Sequence, residues 1–175
     1  MISLDDLNRL PQDEFVLQLA GIFEHSPWVA ERVVENRPFI SRQELHAAMC
    51  AAVTAATHAE QLALIRRHPR LGLRGRARAD LTRASSQEQR GAGLDAVRPD
   101  ELSRLEALNL AYEEKFAMPF ILAVHGHTPE SILAACESRL GNDLPVEHGT
   151  ALEQIGLIAG YRLSDTVSDS GGKNE

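Results

Sequence analysis

The residues best equipped for chemistry lie between Arg67 and Leu94. His68 precedes Pro69, whose ring disfavours helical geometry for the residue before it, so the imidazole is expected at a helix end and not within an apolar stripe. Histidine titrates near neutrality and can take up or release a proton there. Further on, Ser85-Ser86-Gln87-Glu88-Gln89 is expected to open a second helix. Ser85 and Glu88 have the spacing of a capping box, which places them at a helix N-terminus, where backbone N–H groups and the macrodipole favour an anion. Arg66, Arg67, Arg70, Arg74, Arg76, Arg78 and Arg83 crowd the same stretch and give a chain of formal charge −7 a local positive patch. A proton carrier and two attractions for a small anion thus share one segment.

Each of these groups also has an ordinary structural use. A capping box turns Glu88 back onto the Ser85 backbone, whereas catalysis points it into a pocket, and the pattern alone favours the cap. A histidine near a helix end often serves the terminal carbonyls. The arginines can line a solvated loop, or the 66–83 loop can dock an acidic partner in a non-enzymatic helical module. Arg162, four residues after Ile158, sits at the edge of the last helix's buried face, where its stem can snorkel. His125, His127 and His148 offer ligands for a metal-dependent hydrolase, but no His-Glu-x-x-His or Cys-x-x-Cys pattern supports them. A serine hydrolase is poorly supported, since no Gly-x-Ser-x-Gly elbow occurs.

The elements that must position these groups read as helices. Ser3 caps a short helix carrying Leu4, Leu7 and Leu10, and a second spans about 12–23 with Phe15, Leu19, Ile22 and Phe23. Ser26 as N-cap and Pro27 as first residue start a third, stopped before Pro38. Ser41 and Glu44 form a capping box ahead of an amphipathic helix, and Leu62 and Ile65 belong to the short helix that leads to His68. The Ser85 helix is expected to run to about residue 95 with Gly91 and Gly93 inside it. Pro99 opens what reads as the longest helix, in which Asn109 interrupts an apolar stripe of Leu102, Leu105, Leu108, Tyr112 and Phe116. Phe120-Ile121-Leu122-Ala123-Val124 is too short for periodicity to classify, leaving strand, helix start or buried segment open. Thr128 and Pro129 begin a helix that Gly141 stops, a last helix covers about 150–163, and the polar tail 164–175 reads as disordered. With no alternating strand, the expected fold is all-α, a compact single-domain bundle over 1–163 of about eight helices.

Composition narrows the function further. At 175 residues, 43% hydrophobic and 25% charged, the chain has the size and balance of one globular domain. No apolar run approaches the roughly 20 residues a membrane span needs, and Met1 to Leu10 lacks a signal peptide's pattern, so a cytoplasmic protein without membrane contact is expected. The acidic balance argues against nucleic acid as a partner. Cys50 and Cys136 stand apart in helical patterns and read as small core residues in a reducing compartment, not as a disulfide or metal pair.

Taken in order, His68-Pro69-Arg70-Leu71-Gly72, Ser85-x-x-Glu88-Gln89-x-x-Ala92-Gly93-Leu94 and Asn109-x-x-Tyr112-x-x-Lys115-Phe116-x-x-Pro119-Phe120-Ile121 resemble the decarboxylases of 2-oxo-4-hydroxy-4-carboxy-5-ureidoimidazoline (OHCU), which act last in the breakdown of uric acid to (S)-allantoin. The similarity continues through Arg139-Leu140-x-Asn142, Glu147, Ala151-Leu152 and Ile158-Ala159-x-x-Arg162-Leu163, nearly the whole chain. The resemblance implies an all-helical decarboxylase that uses no cofactor and no metal. It matches His68 to the family's catalytic histidine, Glu88 to its essential glutamate and Arg162 to its substrate-binding arginine. Pro69, Ser85, Ser86, Gln87, Glu88, Gln89, Phe120, Ile121, Leu122, Ala123 and Val124 match its substrate-contacting segments. It also makes a homodimer a reasonable assembly. The sequence departs from the pattern at Arg70, often acidic in the family, at Ala117-Met118, commonly Gly-Phe, and at His125, arginine in some members.

Overall fold

The structure is a computed structural model and describes residues 1–72 and 81–169. Among these, nine α-helices account for the fold, with one short 3-10 turn and a single two-stranded parallel pair. The all-α expectation holds, one helix richer than expected. The chain divides into two compact units, Ile65–Ile155 and Met1–Leu64 together with the chain from Gly156 onward. Among the described residues no single helix is long and apolar enough to cross a membrane.

The first unit begins with strand β1 (Ile2–Ser3) and helices α1 (Leu4–Arg9), α2 (Gln12–Leu19), α3 (Trp28–Val33), α4 (Arg42–Thr54) and most of α5 (His58–Arg66). Ser3 caps α1 by accepting from the Asp6 amide, and Ser41 caps α4 by accepting from Glu44, as their spacing requires. Glu44 in turn accepts from the Ile40 amide at 2.7 Å. Two expectations fail locally. α2 ends at Leu19, and Ile22 and Phe23 are buried in the turn that follows. Ser26 does not cap α3; its hydroxyl donates to the Glu24 carbonyl at 3.0 Å, so the hydroxyl closes a turn where the helix start was expected to use it. Leu4, Leu7, Phe15, Val29, Leu45 and Met49 bury completely or nearly so in this unit, with the Phe15 and Phe39 rings stacked at 6.4 Å.

The second unit holds α6 (Arg83–Gly91), α7 (Pro99–Phe116), α8 (Pro129–Arg139) and the first half of α9 (Leu144–Thr166). α6 begins earlier than the Ser85 capping box implied, because Thr82 supplies the cap and accepts from the Ser85 amide at 3.2 Å. It also ends earlier. Gly93, at φ 74°, closes a Schellman turn in which its amide donates to Arg90 and the Leu94 amide to Gln89, so this glycine stops the helix it was expected to lie within. α7 follows its forecast, burying Leu105, Asn109, Tyr112 and Phe116 at helical spacing. It is not the longest helix. α9 is, at 23 residues, starting near Pro145, which is tolerated in a first turn, and passing through Gly149 without a break.

The end of the chain departs most from expectation. Ser164 to Thr166 complete α9, and strand β2 (Val167–Ser168) pairs with β1, Ile2 opposite Val167 and Ser3 opposite Ser168. Val167 is fully buried there, and Arg42 donates to its carbonyl at 3.0 Å. The polarity of this stretch concealed one apolar residue with a specific partner. The remainder of the expected tail, 170–175, lies outside the described residues.

Candidate active site

His68 is placed by the end of α5. Its amide closes the last turn on the Ile65 carbonyl at 3.1 Å, Pro69 prevents continuation, and the imidazole is 6% exposed. The turn that follows is held at three backbone groups by two side-chain amides. Gln89 of α6 accepts from the Gly72 amide at 3.0 Å and donates to the Arg70 carbonyl at 3.2 Å, while Asn109 of α7 donates to the Leu71 carbonyl at 3.1 Å. Gly72 adopts φ 77°, and a Cβ there would stand 2.6 Å from Leu105, so the turn needs glycine for both its geometry and its clearance. Asn109 is therefore the polar interruption of the α7 stripe that the site requires.

A cleft of about 410 Å³ opens beside His68, lined by Arg66, Arg70, Glu113, Ala117, Met118 and Pro119. Arg66 donates to the Ala117 carbonyl at 3.0 Å, and Arg70 pairs with Glu113 through both Nε and Nη2. Two of the departures from the family pattern, at Arg70 and Ala117-Met118, thus line the same cleft. Ala117 takes a left-handed conformation at φ 55°, which explains why glycine is common there. Of the arginine-rich loop, Arg74, Arg76 and Arg78 lie outside the described residues; Arg66, Arg67 and Arg83 are exposed, and Arg66 and Arg70 reach the C-terminal end of α7 through the Ala117 carbonyl and Glu113.

For Glu88 the structure decides between cap and pocket to this extent: the Ser85 amide that a capping box would give to Glu88 is held by Thr82. Glu88 is half-buried in the middle of α6, one residue before the Gln89 that grips the His68 turn. Ser85 is buried, Ser86 half-buried and Gln87 exposed. Residues 120–124 form neither strand nor helix; all five are buried directly after Pro119 of the cleft wall. Arg162 belongs to the other unit, where it is 7% exposed with Nη1 2.6 Å from the Glu24 carboxylate. It does not snorkel. Glu24, itself 1% exposed, gave no sequence signal because its partner is far along the chain.

The remaining candidates do not assemble. Among the described residues no three His, Cys, Asp or Glu side chains gather into a metal-binding group, and His127 instead lies 3.0 Å from the Ser131 hydroxyl. Burial pushes both thiols up, Cys136 to about 11, so neither is a thiolate near neutrality.

The described residues thus form a helical fold in which a buried histidine on a clamped turn stands beside a cleft lined by Arg66 and Arg70. The sequence pattern of the family described as OHCU decarboxylase matches residues 8–164. The 2-oxo-4-hydroxy-4-carboxy-5-ureidoimidazoline decarboxylase of Haloferax volcanii is 41% identical over 167 residues, covering 95% of this chain and 97% of that one. The uric acid degradation bifunctional protein PucL of Bacillus subtilis is 40% identical over 98% of this chain, which spans 34% of PucL. A crystal structure of (S)-allantoin synthase superimposes with a TM-score of 0.78 at 31% identity, over 95% of this chain and 54% of that one. A crystal structure of OHCU decarboxylase in the presence of (S)-allantoin shares the fold at a TM-score of 0.69 and 20% identity, over 85% of this chain and 96% of its own. The chain belongs to the OHCU decarboxylase family, a family of carboxy-lyases.

Proposed function

We propose that the chain decarboxylates OHCU to (S)-allantoin and CO2, with His68 managing the proton, Glu88 orienting the imidazole or binding the hydroxyl and ureido donors, and Arg162 binding substrate oxygens. The observation that carries this is the buried His68, held on a turn that Gln89 and Asn109 fix at three backbone groups. The substrate's carboxylate sits on a carbon next to a C=N bond. When the C–C bond breaks, its electron pair forms a new C=C bond and the imine nitrogen takes up a proton. The hydroxyl proton then leaves as the carbonyl forms, and the former imine carbon is protonated on one face. The substrate is its own electron acceptor, so no cofactor or metal is needed as a sink.

The chain's task is then positional and protonic. A histidine near neutrality suits both proton removal and delivery, typically worth about 10²- to 10⁴-fold. The planar fork of Arg162 suits carbonyl and carboxylate oxygens. Pro69, Ser85, Ser86, Gln87, Gln89 and residues 120–124 would contact the substrate, the last as an apolar wall that excludes water. The reaction belongs to the cytoplasm in this reading, with the chain acting as a homodimer. The test is to generate OHCU in situ and follow (S)-allantoin by circular dichroism, before and after exhaustive chelation. Faster, stereospecific formation that survives the chelator is expected. Turnover lost on chelation and restored by one added metal would overturn the cofactor-free mechanism.

A further inference from the structure

Residues 120–124 carry only apolar side chains, which by themselves could settle in more than one arrangement. Two polar side chains from outside the segment grip its backbone. Arg139, the last residue of α8, donates from Nη1 to the Ile121 carbonyl at 2.5 Å, and its guanidinium lies 4.7 Å from the Phe120 ring centroid. Gln154 of α9 accepts from the Ala123 amide at 2.9 Å. The two contacts fall two residues apart, one on a carbonyl and one on an amide, so together they fix where the segment lies and how it is turned.

Arg139 is itself held in place. Glu147, fully buried in the first turn of α9, accepts from Arg139 Nε at 3.0 Å and Nη2 at 2.8 Å, from Asn142 at 2.6 Å, and from the Tyr112 hydroxyl. Burial alone would raise the Glu147 carboxyl, but these hydrogen bonds, with Arg139's first, hold it below the usual carboxylate range. Burial and the bond to Glu147 push the Tyr112 phenol well above its ordinary value, so it stays a donor. A buried ion pair adds little net stability over an apolar core of the same shape. What this one does supply is a guanidinium locked in a single orientation, with Nη1 left over for Ile121.

We propose that Arg139 and Gln154 are positioning residues that hold 120–124 in the shape substrate binds, and so set the affinity for OHCU. This rests on the reading of 120–124 as a substrate wall, and two separate readouts distinguish the failure of one from the failure of the other. Gln154 is half-buried and uncharged, so Gln154→Leu removes the acceptor without stranding a charge. Gln154→Glu keeps an oxygen there as the conservative rescue. Amide exchange at Ala123 and steady-state kinetics on OHCU generated in situ are measured on the same preparations, with Arg139→Lys as a second variant that keeps a cation for Glu147.

Gln154→Leu is expected to lose about tenfold in Ala123 protection and to raise KM about tenfold with kcat little changed, the scale of one hydrogen bond. Gln154→Glu should restore both, and Arg139→Lys should reproduce the rise in KM. Unchanged exchange in Gln154→Leu would overturn the clamp. Lost protection with unchanged KM would overturn the positioning role by showing that the held segment is not the substrate's wall. Exchange reports on the clamp whether or not the chain turns over OHCU.

Discussion

Glu88 illustrates how one contact changes the reading of a residue. By spacing it was a capping glutamate, yet Thr82 already serves the Ser85 amide, so the cap and the carboxylate can be tested apart. Thr82→Ala should cost about 1 kcal/mol of stability, the usual worth of an N-cap, and leave turnover per folded molecule unchanged. Glu88→Gln should do the reverse, melting within a degree or two of the parent while losing most of its activity. Thermal unfolding and the in situ allantoin assay on both variants check this, and an early-melting, fully active Glu88→Gln would return the residue to a structural role. Asn109 was visible in the sequence as a break in an apolar stripe, but not its partner, since a stripe does not say which backbone a buried amide will meet. Arg162 was placed by spacing at the edge of the last helix's buried face and by resemblance at the substrate, but its buried pair with Glu24 could not be read because hydropathy patterns carry no information on contacts between distant segments.

At the scale of elements, helix starts and stops were the most legible features. Ser3, Ser41, Thr128 with Pro129, and Pro99 all begin helices where capping chemistry puts them. The boundaries that shifted did so where two signals competed: Thr82 over Ser85 at the start of α6, and Gly93 as a stop at its end. Residues 120–124 were illegible because they form neither regular structure. Their backbone is held by the side chains of Arg139 and Gln154, a solution that leaves no period in the sequence. The junction between α7 and this segment gives a direct prediction. Ala117 sits at φ 55°, a region costly for a residue with a Cβ, so Ala117→Gly should stabilise the chain by about 1 kcal/mol. Gly72→Ala should act oppositely, costing at least about 1 kcal/mol for its positive φ and its approach to Leu105. Denaturant midpoints for the two variants decide both, and equal shifts of one sign would contradict the backbone account.

For the whole molecule, the predominance of helix was legible from periodicity, whereas the pairing of the chain's two ends was not, because a two-residue strand shows no alternation. Stability against acid should report on the Glu147 cluster. A carboxyl held below its ordinary value stabilises the fold fully above the unfolded range, near 4.5, and loses that contribution as pH falls through its folded value. Glu147→Gln, which strands part of a buried ion pair, should be less stable near neutrality by about 3 kcal/mol and show a flatter loss of melting temperature below about pH 4.5. A parallel pH dependence in parent and variant would separate Glu147 from acid unfolding. The function proposed for the chain stands or falls on His68. Asparagine is tolerated at a helix end but cannot shuttle a proton near neutral pH, so His68→Asn should fold and bind an allantoin-like ligand by calorimetry. On that same preparation, (S)-allantoin formation followed by circular dichroism should fall by about two orders of magnitude or more, and near-parental rates in a folded, ligand-binding variant would remove His68 from the mechanism.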